Sequence, residues 1–173
     1  CDSALPACQE CQITWYPDLR KFIDNGPQTD LCTHCFWPAE KMFKSQGNKV
    51  LRYSNYITKK DIEIAQSICN KISFDEIREY RLNGIEIGEH AYAGALRFFA
   101  IGTLTKNNNS EKVLRKYLQA SILTVSAINK LLSVHKYDSV FFNHGIYVPQ
   151  GLIGEVCRKR NVHVINWNPG YKK

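Results

Sequence analysis

Between residues 139 and 167 the apolar positions change period twice. A short run, Val140-Phe141-Phe142, breaks at Asn143-His144-Gly145; Leu152, Ile153, Val156 and Cys157 then recur on one helical face, and a second run extends from Val162 to Trp167. This strand, polar turn, helix and strand order is that of a βαβ unit. It predicts two parallel strands, with the turn at the carboxyl end of the first. Open α/β sheets hold their ligands at that end.

Upstream the pattern is mainly helical. Leu114, Leu118, Val125, Ile128 and Leu132 predict one long amphipathic helix from about Glu111 to His135. The mostly apolar stretch from Gly88 to Leu104 predicts a buried helix, against which Gly94 in mid-run counts. Thr58 to Asp61 is a capping-box pattern opening a helix that turns Ile62, Ala65, Ile68 and Cys69 inward; Ser73 to Glu76 repeats the signal for a helix ended by Gly84. Lys49 to Ser54 predicts a strand, and Phe36 to Gly47 a short helix with Pro38 in its first turn. The result is an α/β fold with a small parallel sheet flanked by helices.

Composition changes this picture little. With 44% hydrophobic and 23% charged residues the chain has the balance of a soluble globular protein. No apolar run approaches the roughly 18 residues needed to span a bilayer, and no basic-then-apolar leader opens the chain. It starts at Cys1 and its single Met is Met42, so the expectation is a piece of a longer protein. The net charge of +7 favours an anionic partner: nucleic acid, a phosphorylated substrate, or the inner face of a membrane. Clusters occur only at Lys59-Lys60, Arg158-Lys159-Arg160 and Lys172-Lys173, and the second also suits the dipole at a helix end.

The amino-terminal forty residues are loop-like and hold five cysteines, Cys1, Cys8, Cys11, Cys32 and Cys35. Cys8 and Cys11 form one CxxC and Cys32 and Cys35 another, the spacing of a four-thiolate structural zinc site in which each pair aims two sulfurs at one tetrahedral centre. Cys1 is an alternative to Cys11 as fourth ligand. Disulfides fit less well, because the total of seven is odd and Cys69 and Cys157 lie on apolar helix faces. Unliganded thiols are the third reading.

At the predicted rim, His144 could serve as general base or hydrogen-bond a sugar or phosphate oxygen, and Asn143 and Tyr147 add polar capacity. Glu89, His90 and Arg97 stand beside an apolar run, where charge is costly unless paired or facing a cleft. His90 and Arg97 share a helical face. The bland alternative puts Glu89 in a helix's first turn and lets Arg97 snorkel. The turn lacks GxGxxG, and the chain has no GxxxxGK[ST], GxSxG or HExxH, so these sequence signatures point to no P-loop, serine-hydrolase or metalloprotease chemistry.

Taken together, CDSALPAC, LCTHCFWPAEKMFKSQG, GIEIGEHAYAGALRFF and FFNHGIYVPQGLIGEVCRKRNVHVINWNPGYKK resemble the amino-terminal, acceptor-side half of bacterial GT-B glycosyltransferases of capsule and surface-polysaccharide assembly. The resemblance implies a Rossmann-like domain over residues 48–173, on which the cysteine-rich lobe of residues 1–47 read from the cysteine spacing would pack. It implies a glycan or lipid-linked acceptor, and a separate carboxy-terminal domain holding a nucleotide-sugar donor. Asp2 and His144 become rival catalytic bases, Glu89, His90, Arg97, Asn143 and Tyr147 substrate-binding residues, and the cytoplasmic face of the membrane the site of action. The cysteine-rich lobe is not general in that family. A zinc-ribbon nucleic-acid-binding module, or a protein-interaction domain without catalysis, is the alternative; nucleic acid is disfavoured because the basic residues do not gather near the cysteines.

Overall fold

A computed structural model describes residues 1–27, 30–168 and 170. Among them are six α-helices and two strands: α1 Leu19–Asn25, α2 Asp30–Ser45, α3 Lys59–Lys71, α4 Ile87–Phe99, α5 Asn108–Val134, β1 Ser139–Asn143, α6 Gln150–Lys159 and β2 His163–Trp167. Lys172-Lys173 lies outside the described residues.

The long helix α5 is the axis on which the rest is hung. Asn107 caps it in a box with Ser110, and Val113, Leu114, Tyr117, Leu118, Ile122 and Val125 are buried along its middle. Ser121 and Thr124 are also buried, and each returns its hydroxyl to a carbonyl one turn back, Tyr117 and Ala120, at 2.8 Å. Helix α4 crosses α5 at Gly94, where an added Cβ would stand 2.3 Å from the Tyr117 ring. The residue that counts against a helix is therefore the one that lets two helices touch. Helix α3 is fixed by Asp61, which completes the Thr58 capping box and also accepts from Ser126 and Lys130 of α5.

The amino-terminal segment shares this core. Leu5, Ala7, Cys8, Cys11, Tyr16 and Phe22 belong to the same buried cluster as α4 and α5, and the Phe22 and Phe98 rings lie 4.4 Å apart. Its cohesion comes from the main core rather than from one of its own.

The βαβ unit forms as its periodicity requires. β1 and β2 pair in parallel, Ser139 opposite His163 through Asn143 opposite Trp167, and α6 covers one face by setting Gly154 against the Phe142 ring. Among the described residues the sheet has only these two strands. Its other face leaves Phe141, Ile165 and Trp167 exposed at 66%, 43% and 45%. The basic cluster at the end of α6 is spent on structure: Lys159 donates to the Asn83 carbonyl and Arg160 to Asn129 of α5 at 3.0 Å.

Four expected elements differ. Lys49 to Ser54 is not a strand. It runs extended into a single 3-10 turn, Tyr53–Asn55, because Asp2 takes the amides of Tyr53 and Ser54, each at 3.1 Å, and among the described residues no neighbouring strand offers a ladder. Ser73 and Glu76 make only half of a box, the Glu76 carboxylate accepting from the Ser73 amide at 3.2 Å and its hydroxyl at 2.6 Å, and the chain continues as turns. There the backbone is wedged against the start of α4: a Cβ on Gly88 would lie 1.8 Å from the Ile77 carbonyl oxygen, and Gly84, at φ +71°, serves a tight hairpin closed by the Leu82–Ile85 bridge. Helix α2 begins at Asp30, so Pro38 sits in mid-helix and removes one intrahelical bond instead of starting the helix. Helix α4 stops at Phe99, where Ala100 turns left-handed at φ 54° and sends the chain away before Leu104.

Candidate functional site

The turn from β1 into α6 is held from three sides. His144 adopts φ 50°, and its amide donates to the Trp167 carbonyl and, at 3.2 Å, to the side chain of Asn168, which pins the turn to the end of β2. Below it, Gly151 returns its amide to the Tyr147 carbonyl at 2.8 Å. From α4, His90 reaches in with Nδ1 at 2.5 Å from the Ile146 carbonyl and Nε2 at 3.5 Å from the Glu155 carboxylate of α6. A carbonyl can only accept, so Nδ1 carries the hydrogen.

Arg97 sits two turns further along α4. Its Nε donates to the Gln9 carbonyl at 3.0 Å, and its guanidinium lies 4.8 Å over the Tyr147 ring. One side chain thus joins the amino-terminal segment, α4 and the turn. The half-buried Tyr147 ring also faces His144, at 6.4 Å between centroids. Among the described residues nothing bonds the ring nitrogens of His144, whereas both of those of His90 are engaged.

His90, Arg97, His144 and Tyr147 therefore share one rim, with Asn143 at the strand end behind them, paired with Trp167. Glu89 does not join them. Its carboxylate turns to Arg78, Nε at 2.9 Å, and that bond holds it below the usual carboxylate range. Asp2 is elsewhere too, with both oxygens committed to Tyr53 and Ser54.

No protein-family model, curated protein or solved structure matches the chain.

Two site residues have no signal in the sequence. Glu155 looks like an ordinary solvent-facing carboxylate on α6, but it is the second anchor of His90. Gly151 is obligatory: a Cβ there would lie 2.4 Å from the His90 ring. Two buried acceptors also stay unpartnered among the described residues, the amide oxygens of Gln9 and Gln150; Gln9 is in the segment Arg97 grips, and Gln150 precedes Gly151. Such groups mark places where water or a ligand completes the bonding.

The cysteines fall into two unequal pairs. Cys8 and Cys11 are buried in a turn closed by Cys11 N donating to Cys8 O at 3.0 Å, with their sulfurs 3.9 Å apart. Tyr117 of α5 donates its hydroxyl to both carbonyls of that turn, at 3.2 and 3.1 Å. The Cys11 thiol lowers its partner Cys8, and Cys11 rises in turn through that bond and its burial. Cys32 is buried and Cys35 exposed on α2. Among the described residues no three His, Cys, Asp or Glu side chains converge on a common metal position.

Proposed function

We propose that this chain is the Rossmann-like, acceptor-binding half of a glycosyltransferase that transfers a sugar from a nucleotide-sugar to a surface-polysaccharide or related acceptor at the cytoplasmic face of the membrane. One observation carries the reading: an imidazole whose ring nitrogens have no partner among the described residues, His144, stands at the carboxyl end of a parallel strand beside an Arg97–Tyr147 platform. In open α/β folds that is where ligands bind. An aromatic face stiffened by a guanidinium suits the apolar face of a sugar ring, and a free imidazole can take the proton of an attacking hydroxyl.

His144 is the better base. Asp2 has both oxygens bonded to backbone amides, so its role is to shape the turn at Tyr53. His90 positions the turn through Ile146, and Asn143 closes the rim. The nucleotide-sugar would be held by a second, carboxy-terminal domain across the cleft. No helix of the described residues is long and apolar enough to cross a membrane, so contact with anionic lipid would be peripheral and electrostatic.

The test is nuclear magnetic resonance of the labelled chain titrated with neutral mono- and disaccharides, with UDP-glucose, and with a DNA duplex at low and moderate salt. The expected result is a shift of the His144 and Tyr147 signals with saccharide, abolished in His144→Ala, and none with UDP-glucose. Salt-sensitive duplex binding without a saccharide response would overturn the proposal and favour a nucleic-acid module.

A further inference from the structure

The thiols of Cys8 and Cys11 take no part in the chemistry of the rim, yet the turn they bracket is fastened to it. Cys11 N donates to the Cys8 carbonyl at 3.0 Å, so residues 8–11 make a hydrogen-bonded β-turn, whose end Cα atoms lie within about 7 Å of each other. A disulfide needs about 4.4 to 6.8 Å between the same atoms. The two sulfurs already touch at 3.9 Å, and each has about 1 Å to travel to reach bonding distance. Cys8 is 8% exposed and Cys11 1%, so Cys8 is the sulfur a small oxidant meets first and Cys11 the one waiting behind it.

The carbonyls of this turn are held from the helices. Tyr117 of α5 donates its hydroxyl to those of Cys8 and Cys11, at 3.2 and 3.1 Å, and Arg97 of α4 donates Nε to that of Gln9, at 3.0 Å. The same guanidinium covers the Tyr147 ring at 4.8 Å. Gln9 stands inside the ring that an S–S bond would close. A bridge sets the Cβ atoms of its cysteines about 3.8 Å apart, and the peptides between them, the Gln9 carbonyl included, must follow.

We propose that Cys8 and Cys11 are a redox site: peroxide joins them in a reversible disulfide, and the bond shifts the Gln9 carbonyl and with it the Arg97 guanidinium on Tyr147. In the first step the Cys8 sulfur attacks one oxygen of hydrogen peroxide; the O–O bond breaks, leaving a sulfenic acid and a water. In the second the Cys11 sulfur attacks that of Cys8, an S–S bond forms, the S–O bond breaks, and another water leaves. The sulfurs give up an electron pair, peroxide takes it, and both thiol protons end in water. A ring this small constrains the unfolded chain little, so the bond adds little stability and is readily reduced by thiols, as suits a switch rather than a staple. The chemistry holds whatever the rim binds.

The experiment treats the reduced chain with hydrogen peroxide, alkylates the remaining thiols and locates the bond by fragment mass spectrometry, while nuclear magnetic resonance follows the Arg97 Nε–H and Tyr147 ring signals. The expected result is a loss of two hydrogens confined to Cys8 and Cys11, a shift of both signals, and the return of both on adding dithiothreitol. Cys1→Ser and the Cys32→Ser, Cys35→Ser double variant should form the bond as the parent does. Cys11→Ser should stop at a Cys8 sulfenic acid, trapped by dimedone and without the Arg97 shift; should circular dichroism show that variant unfolded, the map of the parent decides. The proposal is overturned by a bond from either cysteine to Cys1, Cys32 or Cys35, by Cys8 and Cys11 remaining thiols once the exposed Cys35 is oxidised, or by a Cys8–Cys11 bond that leaves the Arg97 signal in place.

Discussion

Gly94→Ala sets two effects of opposite sign against each other. In an exposed helix the change would stabilise by about 1 kcal/mol, since alanine loses less backbone freedom on folding. Here the new methyl would stand 2.3, 2.6 and 3.0 Å from three carbons of the Tyr117 ring. Ordinary carbon contacts are about 3.5 to 4.0 Å, so the ring must retreat by more than about 1 Å. Tyr117 is fully buried and cannot swing to solvent, and its hydroxyl holds the carbonyls of Cys8 and Cys11. Overpacking of this kind costs about 1 to 3 kcal/mol, and two stretched buried hydrogen bonds add about 1 kcal/mol each. After the helical gain, the net is a loss of about 2 to 4 kcal/mol, or a fall in Tm of roughly 4 to 16 °C for a chain of this size. Urea unfolding followed by circular dichroism measures it, with Gly102→Ala, where nothing lies within 4 Å, as a control expected within about 0.5 kcal/mol of the parent. Cys8 and Cys11 should also react faster with a thiol reagent as their turn loosens. A Gly94→Ala protein as stable as the parent or more so would refute the α4–α5 crossing and the stated coupling to the cysteine turn.

Asp61 gives a pH dependence with a definite sign. Burial pushes its carboxyl up, but bonds from Lys130, Thr58 and Ser126 outweigh that and hold it well below the usual range. A depressed folded value means the stabilisation is present above the unfolded value near 4 and disappears as the pH falls through the folded one. Asp61→Asn should therefore cost about 2 kcal/mol at neutral pH, and urea midpoints of variant and parent should converge in acid. At the rim, Gly151→Ala should expel the His90 ring and free the Ile146 carbonyl, costing about 1 to 3 kcal/mol. Histidine C–H resonances would report the move, and an unchanged His90 environment would count against the latch. Arg97→Lys keeps the charge but loses the planar stack on Tyr147, and should leave stability within about 1 kcal/mol while weakening saccharide binding more than threefold, read from the same titrations.

What could be read in advance followed the range of the interaction. The β1–α6–β2 unit was legible because its apolar spacing switches from strand to helix and back within thirty residues, and the Thr58–Asp61 box because capping is a matter of four residues. His90 and Arg97 stood out as charged or polar groups beside an apolar run, and they do share a face. Their partners did not stand out, because Ile146, Glu155 and Gln9 lie 50 or more residues away in sequence and offer a backbone carbonyl or an unremarkable carboxylate. Lys49 to Ser54 shows the converse. Its β-branched and aromatic content satisfies strand propensity, but a strand exists only when another chain segment offers a ladder, and Asp2 instead turns the backbone at Tyr53. Gly94 misled for a related reason: its meaning depends on Tyr117, which no local window contains.

The uncovered side of the two-stranded sheet governs how the molecule behaves in a test tube. Phe141, Ile165 and Trp167 form an oily stripe next to a β1 edge whose amides have no ladder partner among the described residues. Salts that strengthen hydrophobic association will bring the chain out of solution through this stripe well before they perturb its helices, and a charged replacement at Phe141 will raise the concentration it tolerates without touching the rim.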